Sequence, residues 1–232
     1  MILELSRLNL KVFDKSYAQL THLYTPSIII PDQDFILSTL GAKTLALANQ
    51  VHGQEVAYAS DKYIIKDADA LVTDQAGVAL GIKTADCVCA LLASADSKVI
   101  GAVHLGWRSA ISELLANTIK MMRQFSAATI LAYIAPCIRQ KSYQVQQDLY
   151  QLALKQKPMS EFFFSHVAAK PNDQIYFDLP GLVKCELNML GITNIRDDGI
   201  DTYTSQHCFS YRAASHRGIT ETGRMLSCIA LR

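Results

Sequence analysis

Three residues of metal-binding type stand out: His52 in Asn49-Gln50-Val51-His52-Gly53, Cys87 in Thr84-Ala85-Asp86-Cys87, and His104 in Gly101-Ala102-Val103-His104-Leu105-Gly106-Trp107-Arg108. Each lies beside a short apolar run and is followed by glycine or polar residues, the setting of a strand end that faces a cleft. Two imidazoles and a thiolate are three of the four ligands that zinc normally takes, and a vacant fourth corner distinguishes a catalytic site from a closed structural one. The intervals are 35 and 17 residues. They are not the tight pairs of a zinc finger, so three distant strand ends would have to converge. By spacing alone, two satisfied buried histidines and a core thiol are the better reading, because free cysteine is among the most buried residue types.

The neighbours of these residues extend the candidate site. Asp86, beside Cys87, could orient a ligand, hold a water or transfer a proton, or simply cap a turn. Cys89, two residues on, is expected in the core. Arg108 precedes an expected helix and is placed to hold an anion such as phosphate, or to form a surface ion pair. Trp107, the only tryptophan, suits a core or rim position as well as base stacking. Tyr211-Arg212 and Thr222-Gly223-Arg224-Met225 put two arginines and two hydroxyls around an expected hairpin, and arginine forks suit phosphate or carboxylate. Neither GxGxxG, GxxxxGK[ST] nor GxSxG occurs, which removes the common nucleotide loops and the nucleophile elbow.

The elements that must carry these residues read as follows. Half of the 232 residues are apolar and 19% are charged, with a formal net charge of +1. This is the composition of a globular domain with a substantial core, and it gives no electrostatic case for nucleic acid or an anionic membrane. Apolar runs at 42–49, 55–59, 68–73, 77–83, 87–93 and 99–104 predict a mixed or antiparallel sheet. Leu3, Leu5, Leu8, Leu10 and Val12 suggest early strands, as does Ile28-Ile29-Ile30. Helical spacing of Ile111, Leu114, Leu115, Thr118, Ile119 and Met122 predicts a helix over 109–124 with Ser109 as N-cap. Residues 130–135 read as a strand, 144–155 as a helix, and Asp178 with Pro180 as the start of a third helix that stops near Gly191. Short strands or turns are expected at 194–196, 208–212 and 225–231. Without a linker or repeat, one domain spanning residues 1–232 is expected. Six cysteines and an N-terminus unlike a secretory signal point to reduced thiols in the cytoplasm.

As a set, and in order, seven stretches resemble the family variously described as laccase-like multicopper polyphenol oxidoreductases, purine nucleoside phosphorylases and peptidoglycan editing factors. They are the three metal segments above, Ala68-Asp69-Ala70-Leu71-Val72-Thr73, Ile134-Ala135-Pro136-Cys137-Ile138, Phe209-Ser210-Tyr211-Arg212 and Thr222-Gly223-Arg224-Met225, and together they run from about residue 45 to the end. The resemblance implies a single α/β (α+β) domain with a mixed β-sheet core flanked by helices, related to cysteine-hydrolase-like toxins. It implies a zinc, with copper as the alternative, on His52, Cys87 and His104. Asp86 and Cys87 are then the catalytic candidates, and Asn49, Arg108, Tyr211, Arg212 and Arg224 are candidates for substrate and phosphate. The sequence departs from the family in residues 13–45, which are shorter and lack its Gly-Val-Ser and Asn-Leu-Gly segments. It departs again at Ser109, where glycine is common, and in a longer connection from Arg212 to Thr222.

Three chemistries follow from the resemblance. The first is zinc-dependent phosphorolysis of adenosine, inosine, guanosine and S-methyl-5′-thioadenosine, together with deamination of adenosine; purine nucleosides and phosphate are the expected partners, the chain being a monomer or a homodimer. The second is copper-dependent phenol oxidation, which would need further histidine-rich sites. The third is a metal-free cysteine hydrolase, with Cys87 as nucleophile and His104 as base, acting on peptidoglycan precursors.

Overall fold

The apolar runs between residues 68 and 105 have almost no polar alternation, the mark of strands covered on both faces. In the computed structural model, which describes residues 8–14, 33–61, 66–168, 174–220 and 222–231, this is how they are buried. The first third of the described chain contains β1 (Leu8–Phe13), α1 (Gln33–Leu40), β2 (Thr44–Leu47) and β3 (Val56–Tyr58). The central strands follow as β4 (Ala70–Thr73), β5 (Val78–Thr84), β6 (Val88–Ser94) and β7 (Ile100–Leu105). After them come α2 (Trp107–Ala110), α3 (Leu114–Met122), β8 (Ile130–Ile134), β9 (Gln144–Val145) and α4 (Gln147–Gln156). The C-terminal part holds β10 (Phe164–Val167), β11 (Gln174–Phe177), α5 (Leu179–Met189), β12 (Ile195–Asp197), α6 (Tyr211–His216) and β13 (Met225–Leu231).

Two mixed sheets carry the site. One has the order β1-β13-β5-β2, the other β12-β8-β6-β7-β4-β3, and a small antiparallel sheet, β10-β11-β9, stands beside them. Alternate residues of the six-stranded sheet serve two cores, as the two-residue period of a strand requires. Val72, Val88, Leu92 and Val103 pack with Leu114, Ile119, Met122, Leu182 and Leu187 of the helices. Leu71, Cys89, Leu91, Ile100 and Ala102 point the other way, against Leu80, Ile82 and Ile229 of the four-stranded sheet. A third cluster seats Ile36 and Leu40 of α1 on Leu226 and Cys228. The architecture is the expected one of mixed sheets flanked by helices, and Cys89 is a core residue. Among the described residues, no helix is long and apolar enough to cross a membrane.

Several expectations need correction. The helix over 109–124 is two helices, and Ser109 lies buried inside α2, whose N-cap is Gly106 with no side-chain cap. The break comes at Ser112. Its hydroxyl donates to the Ser109 carbonyl and accepts from Leu114 N–H, a local alternative to helical bonding. Gln144 belongs to β9, paired with Tyr176, so the next helix starts at Gln147. Residues 208–212 are no strand or hairpin: Ser210 accepts from Ala213 N–H and caps α6. Helix α1 and the β10–β11 hairpin were not expected. The proposed strands at Leu3–Leu5 and Ile28–Ile30 lie outside the described residues.

One carboxylate ties the sheet edge to the helical layer. Asp197 accepts two bonds from the Arg139 guanidinium (2.7 and 2.9 Å), one from Lys184 Nζ (2.8 Å) and one from Gly199 N–H (3.0 Å). Burial opposes its ionisation, but the bonds from Arg139 and Lys184 win and hold its pKa well below the usual carboxylate range. A depressed folded pKa means stability that is complete above the ordinary carboxylate pKa and is lost as pH falls through the folded value. Asp197→Asn should therefore cost about 1–3 kcal/mol at neutral pH. In urea titrations, the gap between variant and wild type should hold from pH 7 to 5 and shrink below about pH 4. A gap that is constant down to pH 3 would contradict this account.

Candidate metal centre and cavity

His104 closes β7, opposite Cys89 of β6, and its ring leaves the sheet beside Asp69. Asp69 is fully buried just ahead of β4. A carboxylate with no exposure must be paired, and this one accepts four bonds. They come from His104 Nδ1 (2.7 Å) and from the N–H groups of Val51 (3.2 Å), His52 (3.0 Å) and Gly53 (2.7 Å). Burial raises its pKa, but the bonds from His104, Gly53 and Val51 outweigh this and leave it lowered. The bond also commits His104 Nδ1 to carrying its proton, so Nε2 is free to bind a metal.

The same carboxylate holds the loop that presents His52, whose φ of 59° is left-handed, a conformation non-glycine residues adopt only when their surroundings impose it. Cys87 sits in the turn between β5 and β6 rather than on a strand, just after Asp86 with φ 94°. The three ligand atoms lie within 4.8 Å of one another, with Cys87 Sγ 4.0 Å from His52 Nε2. Tetrahedral zinc, with bonds of about 2.0–2.3 Å, spaces such atoms roughly 3.3–3.6 Å apart. The set therefore fits a divalent ion after about an ångström of side-chain adjustment. His104 is buried, Cys87 is intermediate and His52 is exposed, so the cluster is open to solvent on its His52 side. Burial works against ionising the thiol, yet His104 and His52 overcome it and bring Cys87 down to about 6. Burial likewise opposes a charged His104, but Asp69 and Cys87 hold its pKa up, at about 9.

A cavity of about 590 Å³ opens over this centre. It receives Asn49, Asp86, Tyr211, Arg212 and Arg224 of the expected residues. Arg108 does not line it; its exposed guanidinium stacks 4.2 Å above the Trp107 ring, which does. The bland expectation for Asp86, a capping aspartate, describes its present bonds. Oδ1 accepts from Thr202 Oγ1 and Oδ2 from Arg212 N–H, both at 2.7 Å, and its carbonyl accepts from Ile138 N–H. Asn49 donates its amide to Asp67 at 2.7 Å, leaving its side-chain oxygen as an acceptor.

Sequence reasoning missed Asp69, Lys83 and Tyr143. An aspartate embedded in the apolar run Ala68–Thr73 was the available signal for Asp69. Lys83 and Tyr143 gave none, since each reaches the cavity through tertiary packing alone. Lys83 is held through its backbone by a reciprocal pair with the Gln50 amide (2.8 and 2.9 Å), and burial and then the Arg224 charge lower its pKa. Burial raises that of Tyr143.

Gly106 marks how closely the centre is packed: a Cβ there would stand 2.7 Å from His52 Cδ2 and 3.3 Å from Cys87 Sγ. Gly106→Ala should displace the His52 ring, and Asp69→Asn should release both loop and imidazole. Each should weaken divalent-metal binding roughly 10–100-fold, measured by mass spectrometry and competition with a chelator. Circular dichroism should show Gly106→Ala still folded. Unchanged metal affinity in both variants would refute the assembly described here.

A family model described as multi-copper polyphenol oxidoreductase laccase matches residues 27–232. A purine nucleoside phosphorylase of Rickettsia conorii is 31% identical over 231 residues, 96% of this chain and 95% of that protein. The crystal structure of a Neisseria meningitidis protein superposes with a TM-score of 0.74 at 27% identity, covering 86% of this chain and 79% of that one. YlmD from Geobacillus stearothermophilus gives a TM-score of 0.75 over 98% of this chain and 93% of its own, and at 21% identity that likeness concerns the fold alone. The chain belongs to the family that carries the name multi-copper polyphenol oxidoreductase laccase and whose curated members include purine nucleoside phosphorylases.

Proposed function

We propose that this protein is a zinc-dependent purine nucleoside phosphorylase of the cytoplasm, acting on adenosine, inosine, guanosine and S-methyl-5′-thioadenosine. The observation that carries this reading is one cavity in which an open His52–Cys87–His104 set faces the cations Lys83, Arg212 and Arg224. The names of the relatives support it. A zinc ion held by His52, Cys87 and His104 supplies a Lewis acid at the cavity floor. Lys83 and Arg224 hold phosphate, and the crowding of their charges favours an anion between them. Trp107 and Tyr143 line the cavity and offer aromatic surface to the purine, and Asn49 offers an acceptor to the sugar or base. A phosphate oxygen attacks the ribose C1′ as the C1′–N9 bond breaks, and the phosphate proton ends on the purine. Asp86 is a positioning residue that sets Arg212 and the turn bearing Cys87.

The three other chemistries draw less support from the structure. In deamination the proton shuttle would be Asp86, and its bonds to Thr202 and to the first turn of α6 give that carboxylate a positioning role, one bond to each oxygen. A multicopper oxidase needs several copper centres, and among the described residues His52, Cys87 and His104 form the one cluster of this kind. The metal-free hydrolase reading has no use for a second imidazole beside the Cys87–His104 pair.

Pure zinc-loaded protein incubated with adenosine and phosphate should yield adenine and ribose 1-phosphate, and exhaustive chelation should stop it. Unaltered adenosine would overturn the reading, and full activity after chelation would favour the Cys87 nucleophile. Arg224→Ala should raise KM for phosphate about 10-fold, the loss of one charge-assisted contact, and leave KM for adenosine close to wild type in steady-state assays.

A further inference from the structure

A second groove, of about 370 Å³, adjoins the cavity and shares Trp107, Tyr143 and Arg212 with it. Its walls differ in charge. On one side, Arg212 and His216 are four residues apart on α6 and therefore share a face. Arg212 is held toward the groove by its bond to the Gln144 carbonyl (2.7 Å). The His216 ring is fixed by the Tyr203 hydroxyl at Nδ1 (3.0 Å) and by an edge-on contact with the Tyr203 ring (5.6 Å between centroids), leaving Nε2 for a ligand. On the other side, at the β9–α4 junction, stands Asp148. Its Oδ1 accepts from Leu149 N–H, and among the described residues no basic side chain pairs with it.

We propose that this groove receives an amino-acid tail carried on the 5′ carbon of the nucleoside, its carboxylate against Arg212 and His216 and its ammonium against Asp148. A purely anionic tail would meet Asp148, and a purely cationic one Arg212; only a group with both charges satisfies both walls. The inference rests on the nucleoside reading above and adds to its substrates 5′-thioether nucleosides with a zwitterionic end. The chemistry is unchanged: C1′–N9 breaks, C1′–O forms, the phosphate proton passes to the purine, and the tail leaves intact on the ribose 1-phosphate.

The test compares S-adenosylhomocysteine, S-methyl-5′-thioadenosine, adenosine 5′-monophosphate and adenosine, by calorimetric binding and by phosphorolysis, with zinc-loaded wild type, Asp148→Asn and His216→Ala. Wild type should bind the amino-acid-tailed nucleoside about 10-fold more tightly than the methylthio one. Each variant should lose that preference while binding adenosine as wild type does. Equal binding of the two thioethers, tighter binding of the monophosphate, or variants that keep the preference would overturn the inference. Tail-dependent binding without any turnover would uphold the groove and sink the phosphorylase reading instead.

Discussion

The site depends on one buried negative charge. Asp69 is inaccessible to solvent, and removing a carboxylate from water costs several kcal/mol unless its lone pairs are satisfied. Here they are, by donors from two parts of the chain: three consecutive backbone N–H groups of residues 51–53 and the ring of His104. The bonds that make this charge tolerable also fix the left-handed backbone of His52 and the tautomer of His104. Fold stability and ligand geometry are therefore one constraint, since neither loop nor ring can relax without leaving the charge unpaired.

Asp86 does the corresponding work on the opposite wall. Its backbone is left-handed too, and its carboxylate and carbonyl bind Thr202, the first turn of α6 and Ile138. Through these bonds the short turn carrying Cys87 is locked to Ile138 and to two segments more than a hundred residues further along the chain. Arg212 enters the cavity because its own N–H is anchored there. The centre is thus suspended between two aspartates, Asp69 holding the His52 loop and the His104 ring and Asp86 the turn of Cys87, and Gly106 leaves the space in which the rings can meet.

What the sequence made legible follows from what is local. The strands from 68 to 105 could be read because double-sided burial leaves an uninterrupted apolar run, and the candidates His52, Cys87 and His104 because their residue types are rare and stand beside apolar runs. The break in the helix at Ser112, the capping of α6 by Ser210 and the pairing of Gln144 depend on single side-chain or strand bonds that periodicity does not register. Lys83 reads as one more strand residue until β5 is placed beside Gln50 and Arg224. Arg108 misled for the same reason. Proximity to a helix start suggested anion binding, whereas the exposed face of α2 turns its guanidinium onto Trp107.

Charge balance connects the geometry to the proposed metal. Asp69 and a thiolate at Cys87 place negative charges on either side of the His104 ring, with the imidazoles as their partners. Without a metal, the shared electrostatics draw a proton toward His104 and away from Cys87, the directions in which their pKa values move. A divalent cation satisfies the same two charges with both imidazoles neutral, and neutral imidazole is the form that donates a lone pair. Asp69 then acts as an outer partner that raises the basicity of His104 rather than as a ligand. The cations Lys83 and Arg224 remain for an anionic reactant. This division, a negatively charged floor beneath a positively charged rim, is the feature of the cavity on which the proposed reaction of phosphate with an uncharged nucleoside rests.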